Sequence, residues 1–503
     1  MPGRAGQPMW EQLIQLSFRS KISLQAQIRE MLVAAILDGH LPLGVALPST
    51  RELAAQLGVA RNTVALAYEL LVNEGYLLTR SRSGHYVTPE IRAGRAEAWP
   101  RRANSVARPS TQWSGRFRVR PSTQRNIVKP KDWQKYPYPF IYGQIDPALL
   151  PIAGWRECVT QALSVAEIRD WSADLIDGDD PLLLEQIQAR LLARRGVWAA
   201  PEEILVTVGA QQALYLLATL LVGAETAVGV EDPGYPDARN IFASRSAHVV
   251  PLPLDADGLA LSPSLDACEL VYLTPSYQCP TNVTMPRARR QALLDWADTH
   301  DRVLIEDDYE IEMGTESRAQ PALKSLDAAG RVVYVGSLSK TLAPGIRLGF
   351  IVGSRELIGE ARALRRLMLR HPAANNERSV ALFLAMGYHD ALLRRIRQTC
   401  AERAGVAAAA LAAHLPGVRY RATSGASSCW LRFPDATDTR ALAQAAERRG
   451  VLIEPGDVFF AGDGAPRYYA RLGFASIATE RIPTGIRELA GAFAEIAQVR
   501  RRS

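Results

Sequence analysis

Apolar residues recur at two different periods along this chain, and the change of period divides it. Between residues 22 and 88, Ile28, Leu32, Ile36 and Leu37 fall at helical spacing, and Gly39 follows as a terminator. Ser49, with Glu52 three residues later, predicts a capping box that opens a second helix, which Gly58 breaks. A third helix is expected from about Arg61 to Glu74, with Val64, Tyr68 and Leu71 on its buried face. Leu77 to Val87 then reads as two short strands around the turn Ser81-Arg82-Ser83-Gly84.

Apolar periodicity fades after Pro89. Prolines stand at 100, 109, 121 and 130 among many arginines, which predicts an exposed basic linker. Its arginines serve either as a solvated tether or as extra phosphate contacts. From Pro137 onward helical stretches alternate with short apolar runs: Ile204–Val208, Ala227–Val230, Leu270–Leu273, Val303–Ile305 and Val332–Val335. Such runs suit parallel strands buried on both faces and joined by helical crossovers. Beyond about Gly353 the pattern is mostly helical with a few late strands, which predicts a smaller C-terminal α+β subdomain. The expected organisation is an N-terminal domain over 10–88, a linker over 89–136 and an α/β domain with a mainly parallel sheet over 137–500.

Composition narrows the functional classes. At 503 residues the chain exceeds one ordinary core, and 48% hydrophobic with 22% charged residues describes a soluble globular protein. A net charge of +7 is compatible with nucleic acid without requiring it. The five cysteines form no CxxC pair, so neither a disulfide framework nor a metal site is expected. The richest apolar run, Ala213 to Val222, is too short to span a bilayer. Met1 to Gln12 lacks signal-peptide architecture. These features predict a cytoplasmic location and no membrane partner.

In a helix-turn-helix the first turn of the third helix faces base edges. Here that turn carries Arg61, Asn62 and Thr63. Arg can pair with guanine, and Asn with adenine, through two hydrogen bonds each. Arg51 opens the preceding helix, and Arg80, Arg82 and His85 lie near the hairpin tip, a candidate wing against the DNA backbone. Any one of these residues also suits a plain helical domain with surface arginines. The register as a whole does not: Gln27, Ile28, Gly39, Leu47-Pro48-Ser49, Arg51, Leu53-Ala54, Leu57-Gly58-Val59, Arg61, Thr63-Val64, Ala67-Tyr68, Leu71, Glu74-Gly75 and Gly84. It resembles the GntR-type winged helix-turn-helix, which implies a double-stranded DNA operator. Ala60 stands where that family usually places a capping serine, a loss of about 1 kcal/mol of helix stability.

The string Ser337-Leu338-Ser339-Lys340-Thr341-Leu342-Ala343-Pro344-Gly345-Ile346-Arg347-Leu348-Gly349 follows a predicted strand. Pyridoxal phosphate needs an amine, an acid beside its ring nitrogen, a phosphate cradle and a flat partner for its ring. Lys340 is the candidate amine, and the acids Glu306-Asp307-Asp308 precede Tyr309, a candidate donor to the ring oxygen. Those acids also suit a cap on the next helix. Ser337, Arg347 and the turn Gly209-Ala210-Gln211, which opens a helix, form the candidate cradle.

Residues 137 to 495 together resemble the fold-type I aminotransferases, and the combination with the N-terminal domain resembles the MocR/GabR-like branch of the GntR regulators. The resemblance implies Asp307 rather than Asp308 as the ring-nitrogen partner, Tyr235 as the stacking residue and Arg471 as the grip on an effector's acid group. Cys279, in Gln278-Cys279-Pro280-Thr281-Asn282, stands where aminotransferases carry the asparagine that bonds the ring oxygen. The acidic Leu175-Ile176-Asp177-Gly178-Asp179-Asp180-Pro181 replaces a Tyr-containing segment that in relatives reaches the partner subunit's cofactor.

The implied function is that of a homodimeric, pyridoxal-phosphate-dependent transcriptional regulator. It would bind an operator with two half-sites and sense a small amino compound by external aldimine formation, with Lys340 as the Schiff-base lysine and no catalytic residue in turnover. Two alternatives stand beside it: a working aminotransferase with an attached DNA-binding domain, and a regulator for which the cofactor itself is the signal.

Overall fold

Ser23 starts the first helix, α1 (Leu24–Leu37), by accepting a hydrogen bond from the Ala26 N–H. The computed structural model describes residues 14–18, 22–81, 83–89, 112–141, 143, 146–310, 320–421 and 427–502. The chain divides into two compact units, Met1–Arg116 and Phe117–Ser503.

In the first unit the reciprocal capping box is present. Ser49 Oγ accepts from the Glu52 N–H at 3.2 Å, and Glu52 accepts from the Ser49 N–H at 2.9 Å. This opens α2 (Thr50–Leu57), which ends at Gly58 in the left-handed conformation. Helix α3 (Arg61–Asn73) starts at Ala60 with no side-chain cap. Ile28, Leu32 and Ile36 interlock with Leu53, Val64, Tyr68, Leu71, Leu77 and Val87 in one core. Leu37 was expected on the same stripe but is 39% exposed. It follows Ile36 by one residue, and one helical step turns a side chain about 100° off the buried face. The hairpin β1 (Leu77–Arg80) and β2 (Gly84–Val87) pairs Leu77 with Val87.

The second unit begins inside the predicted linker. Residues 117–136 were read as part of an exposed tether, yet several of them dock on this unit. The Asn240 side chain donates to the Arg125 carbonyl at 2.9 Å, and Gln124 donates to the Asn240 carbonyl at 3.2 Å. Arg125 also reaches the carbonyls of Asp457 and Gly462. These bonds replace hydrophobic periodicity as the reason for order, and they escape a pattern that tracks apolar residues.

After β3 (Tyr138–Pro139) comes an eight-stranded sheet: β4 (Ile204–Thr207), β5 (Val228–Asp232), β6 (Val249–Asp255), β7 (Gly258–Leu259), β8 (Leu270–Leu273), β9 (Val303–Asp308), β10 (Val332–Ser337) and β11 (Gly349–Val352). Their order is β4-β11-β10-β9-β8-β5-β6-β7. The run β10-β9-β8-β5-β6 is parallel. The mainly parallel sheet is therefore present. Strand β11, outside the predicted set, lies antiparallel between β10 and β4. Strands β4, β8 and β11 are buried along their whole length, as coverage on both faces requires. A four-stranded antiparallel sheet of β12 (Arg419–Tyr420), β13 (Ser428–Arg432), β15 (Glu454–Pro455) and β16 (Tyr469–Gly473) builds the smaller subdomain, and β14 (Val451–Leu452) pairs with β3.

The acidic segment before Pro181 is structural. Asp179 pairs with Arg365 and, at 2.8 Å, with Arg362, while Asp180 caps the following helix and pairs with Arg378 at 2.6 Å. Asp179 and Arg365 both have fully buried side chains. Removing one partner of a buried pair strands the other charge away from water. Asp179→Ala is expected to destabilise the second unit by about 3–5 kcal/mol, whereas breaking the exposed Arg355–Glu202 pair should cost less than about 1 kcal/mol. Calorimetric unfolding of the two variants against the parent checks both values.

Candidate functional site

Strand β9 places three consecutive acids at the middle of the sheet, and side-chain alternation sends them to opposite faces. Glu306 accepts backbone hydrogen bonds from Leu323 and Lys324, each at 2.8 Å, and lies 3.6 Å from the buried Arg290. This acid caps the short helix Leu323–Leu326. Asp308 pairs with Arg195 at 2.8 Å and accepts from the Tyr334 hydroxyl at 2.9 Å. Asp307 points the other way. Tyr272 donates to its Oδ2 at 2.8 Å, and its Oδ1 is buried with no partner among the described residues. Burial pushes this carboxyl up to about 7. The cap reading and the ring-partner reading thus fall on different members of one triplet.

Asp307 opens on a cavity of about 400 Å³ at the carboxyl ends of the parallel strands. Ligands gather at such ends in open α/β sheets because the loops there diverge and helix N-termini point inward. Lys340 stands on the turn after β10 and lines this cavity, half-buried. Burial lowers its amine to about 8, and Lys129 is the next cause. Ser337 and Ser339 flank it, and the buried Ser339 hydroxyl has no partner among the described residues.

Helix α4 (Gly209–Leu221) begins at the cavity, with Ala210 and Gln211 on the wall. First-turn N–H groups have no intrahelical acceptor and attract anions. Arg347 donates to the Val208 carbonyl at 3.2 Å. Gly209 has φ +77°, a left-handed conformation that glycine adopts without strain, and a β-carbon there would lie 2.8 Å from an Arg347 nitrogen. Tyr235 and Tyr309 line the same space. The Tyr235 hydroxyl bonds to Asp237 at 2.9 Å and accepts from Gln211 at 3.3 Å.

Cys279 is buried there, and burial raises its thiol to about 12, so it stays protonated. Arg471 is not the surface ion-pair residue that an isolated arginine suggests. It is 3% exposed, bonds Glu454 at 2.7 Å, and stacks its guanidinium 4.6 Å from the centre of the Phe459 ring. Of the residues expected at the cofactor and effector, Lys340, Asp307, Tyr309, Tyr235, Ala210, Gln211, Ser337, Arg347, Cys279 and Arg471 all line this one cavity, while Gly209 lies behind Ala210 next to Arg347.

Sequence reasoning missed Lys129, Asn126, Asp237 and Gly143 on the same wall, and Tyr272 behind Asp307. Ser339 was legible, since it belongs to the lysine string. Lys129 carried no signal, because it sits in a segment without periodicity. A free acid oxygen, a weakly basic amine, a helix start with an arginine beside it and two aromatic rings meet the requirements of pyridoxal phosphate. The orphaned Asp307 Oδ1 and Ser339 hydroxyl are the observations that the group would satisfy.

On the first unit, Arg51, Arg61 and Asn62 are exposed and Thr63 is half-buried, around the start of α3. Arg61 donates to Thr50 Oγ1 at 3.4 Å, which ties this turn to the start of α2. His85 turns inward: it packs edge-on against Tyr68 at 5.0 Å and bonds Thr79 at 3.1 Å. Arg80 lies over the Tyr86 ring. Arg82 lies outside the described residues. Among the described residues there is no cluster suited to a metal and no helix long and apolar enough to cross a membrane.

Comparison with known proteins agrees with both halves. Residues 24–87 match the gntR family of bacterial regulatory proteins, and residues 158–489 match aminotransferase class I and II. The chain is 44% identical over 473 residues to the HTH-type transcriptional regulator TauR of Rhodobacter capsulatus, covering 93% of this chain and 96% of that one. It is 33% identical over 478 residues to the probable rhizopine catabolism regulatory protein MocR of Rhizobium meliloti, covering 94% of each. Among solved structures it resembles LysN, an α-aminoadipate aminotransferase of Thermus thermophilus complexed with N-(5'-phosphopyridoxyl)-L-leucine. That match has a TM-score of 0.68 and 26% identity, over 77% of this chain and 99% of that one. With a GntR-type DNA-binding domain joined to a class I/II aminotransferase domain, the chain belongs to the MocR-like transcriptional regulators and is a DNA-binding protein that uses pyridoxal phosphate.

Proposed function

We propose that this regulator senses a small amino compound carrying an acid group, and that it acts on its operator as a homodimer without turning the compound over. The observation that carries the reading is the Lys340 amine lining a cavity that also holds Asp307, Arg471 and the neutral thiol of Cys279. When bound, pyridoxal phosphate supplies an aldehyde that condenses reversibly with primary amines.

Lys340 presents an amine that is neutral more often near pH 7 than an ordinary lysine, because burial disfavours its charged form. Asp307, held by Tyr272, offers an acid oxygen to a protonated ring nitrogen. Arg347 and the first turn of α4 provide positive charge and N–H donors for a phosphate. Arg471, held flat by Glu454 and Phe459, presents a guanidinium that suits a carboxylate or sulfonate. Cys279 brings a weak donor where an amide would bond the ring oxygen, which favours exchange of amines over completed transamination. An effector becomes a signal only through different affinities for the two DNA-binding states. Retention of Lys340, Asp307 and Arg471 also keeps the aminotransferase reading testable: release of a stoichiometric keto acid in a single turnover would favour it.

Lys340→Ala is expected to lose the absorption band of the lysine-linked cofactor and all response of DNA binding to amines. Basal operator affinity should stay within about threefold, a change under 1 kcal/mol. An unchanged band in this variant overturns the assignment of Lys340. The rate of cofactor uptake by the apo-protein should rise with pH and level off above about 8, because only the unprotonated amine attacks and its value is lowered to about 8. Stopped-flow absorbance across a pH series measures this. On DNA, Arg61→Ala should cost about 1–3 kcal/mol on operator and relax preference at one base pair. Arg80→Ala should weaken all sequences alike and lower the salt slope by about one. Fluorescence anisotropy on operator and scrambled duplexes separates the two.

A further inference from the structure

Lys129 enters the cofactor cavity from the stretch that composition marks as linker. Its neighbours hold it there: Arg125 and Asn240 bond each other's segments, and Asn126 pairs with Asp237 on the cavity wall. The Lys129 ammonium lies 3.4 Å from Glu454 Oε1, while Glu454 Oε2 is 2.7 Å from Arg471 Nε. One carboxylate therefore aligns two cationic side chains, from opposite ends of the unit's sequence, on one part of the cavity. Lys340 is close by. A methyl group at Gly143 would lie 2.6 Å from the Lys340 Nζ and 3.6 Å from the Lys129 Nζ. The two amine nitrogens are therefore no more than about 6 Å apart.

We propose that Lys129 is an effector-binding residue that works with Arg471 to select short amino acids, in which a carboxylate or sulfonate lies one or two carbons from the amine. The assignment rests on the amine-sensing reading above. It follows from separation and charge. An acid oxygen hydrogen-bonded to a lysine ammonium stands about 2.8 Å from it. With the Lys129 and Lys340 nitrogens no more than about 6 Å apart, the same molecule's amine can reach the position of the Lys340 amine through a one- or two-carbon chain. Longer ω-amino acids must fold back to make both contacts and lose chain entropy in doing so. Burial of Lys129 sharpens the selection, since an ammonium partly removed from water interacts more strongly with an anion brought beside it. Glu454 keeps both cations aligned before the effector arrives, so little ordering is left to binding.

The test is a spectral titration of the full-length holo-protein with glycine, β-alanine, 4-aminobutanoate, 5-aminopentanoate and aminoethanesulfonate, each against the unbranched alkylamine of the same carbon number. The parent should prefer the acids, most strongly at one or two carbons. Lys129→Met should reduce that preference at least tenfold for the short acids, and Lys129→Arg should keep most of it. Both variants should retain the absorption band of the bound cofactor, which separates a loss of selection from a loss of the site. The same band followed against pH should shift upward in Lys129→Met, because a neighbouring cation that disfavours protonation at Lys340 is gone. A preference that survives unchanged in Lys129→Met overturns the assignment of Lys129 alone. Absence of any spectral change in the parent with every amine overturns the amine-sensing reading itself.

Discussion

Three adjacent carboxylates in a buried central strand are the constraint around which the second unit is organised. Unpaired, each would be costly so far from water. The strand's alternation divides them: Glu306 and Asp308 face the side where Arg290, Arg195, Tyr334 and two backbone N–H groups receive them. Only Asp307 faces the cavity, with one oxygen held by Tyr272 and the other open. The site's acid is thus fixed in place by the demands of its two neighbours. A one-residue slip of β9 would exchange these roles and bury two acids against the cavity.

The electrostatics of the cavity follow from the same economy of burial. Desolvation lowers the Lys340 amine and raises the Asp307 carboxyl and the Cys279 thiol. All three changes favour neutral forms, which bury more cheaply and leave the groups ready to respond to an incoming charged ligand. Arg347 and Arg471 are each anchored, Arg347 on the Val208 carbonyl beside Gly209 and Arg471 on Glu454 over Phe459. Fixed cations thus surround a centre whose own groups can change protonation.

The first unit shows the opposite balance, with local signals dominating. Its helix ends obey the capping rules residue by residue, through Ser23, the Ser49–Glu52 box and left-handed Gly58. The one departure, Ala60, is visible in the sequence and persists in the structure as an uncapped helix start. That end carries the exposed Arg61 and Asn62, the two residues proposed to contact bases. His85 is the counterexample to reading exposure from position alone. It sits near the hairpin tip in sequence, yet Tyr68 draws its ring toward the core.

The sequence alone determined the elements whose cause is local or periodic. Apolar runs of β-branched residues gave the buried strands, helical spacing gave α1, α2 and α3, and the string around Lys340 marked Lys340 and Arg347 as candidates for holding the cofactor. Tertiary structure decided whatever depends on residues far apart in the chain. It assigned three different partners to Glu306, Asp307 and Asp308, set Arg471 between Glu454 and Phe459, and made the acidic Asp179–Asp180 pair structural. It also brought Lys129 from an apparent tether to the side of Lys340, through hydrogen bonds to Asn240, Asp457 and Gly462. Polar docking of that kind has no period, so no pattern along the chain announces it.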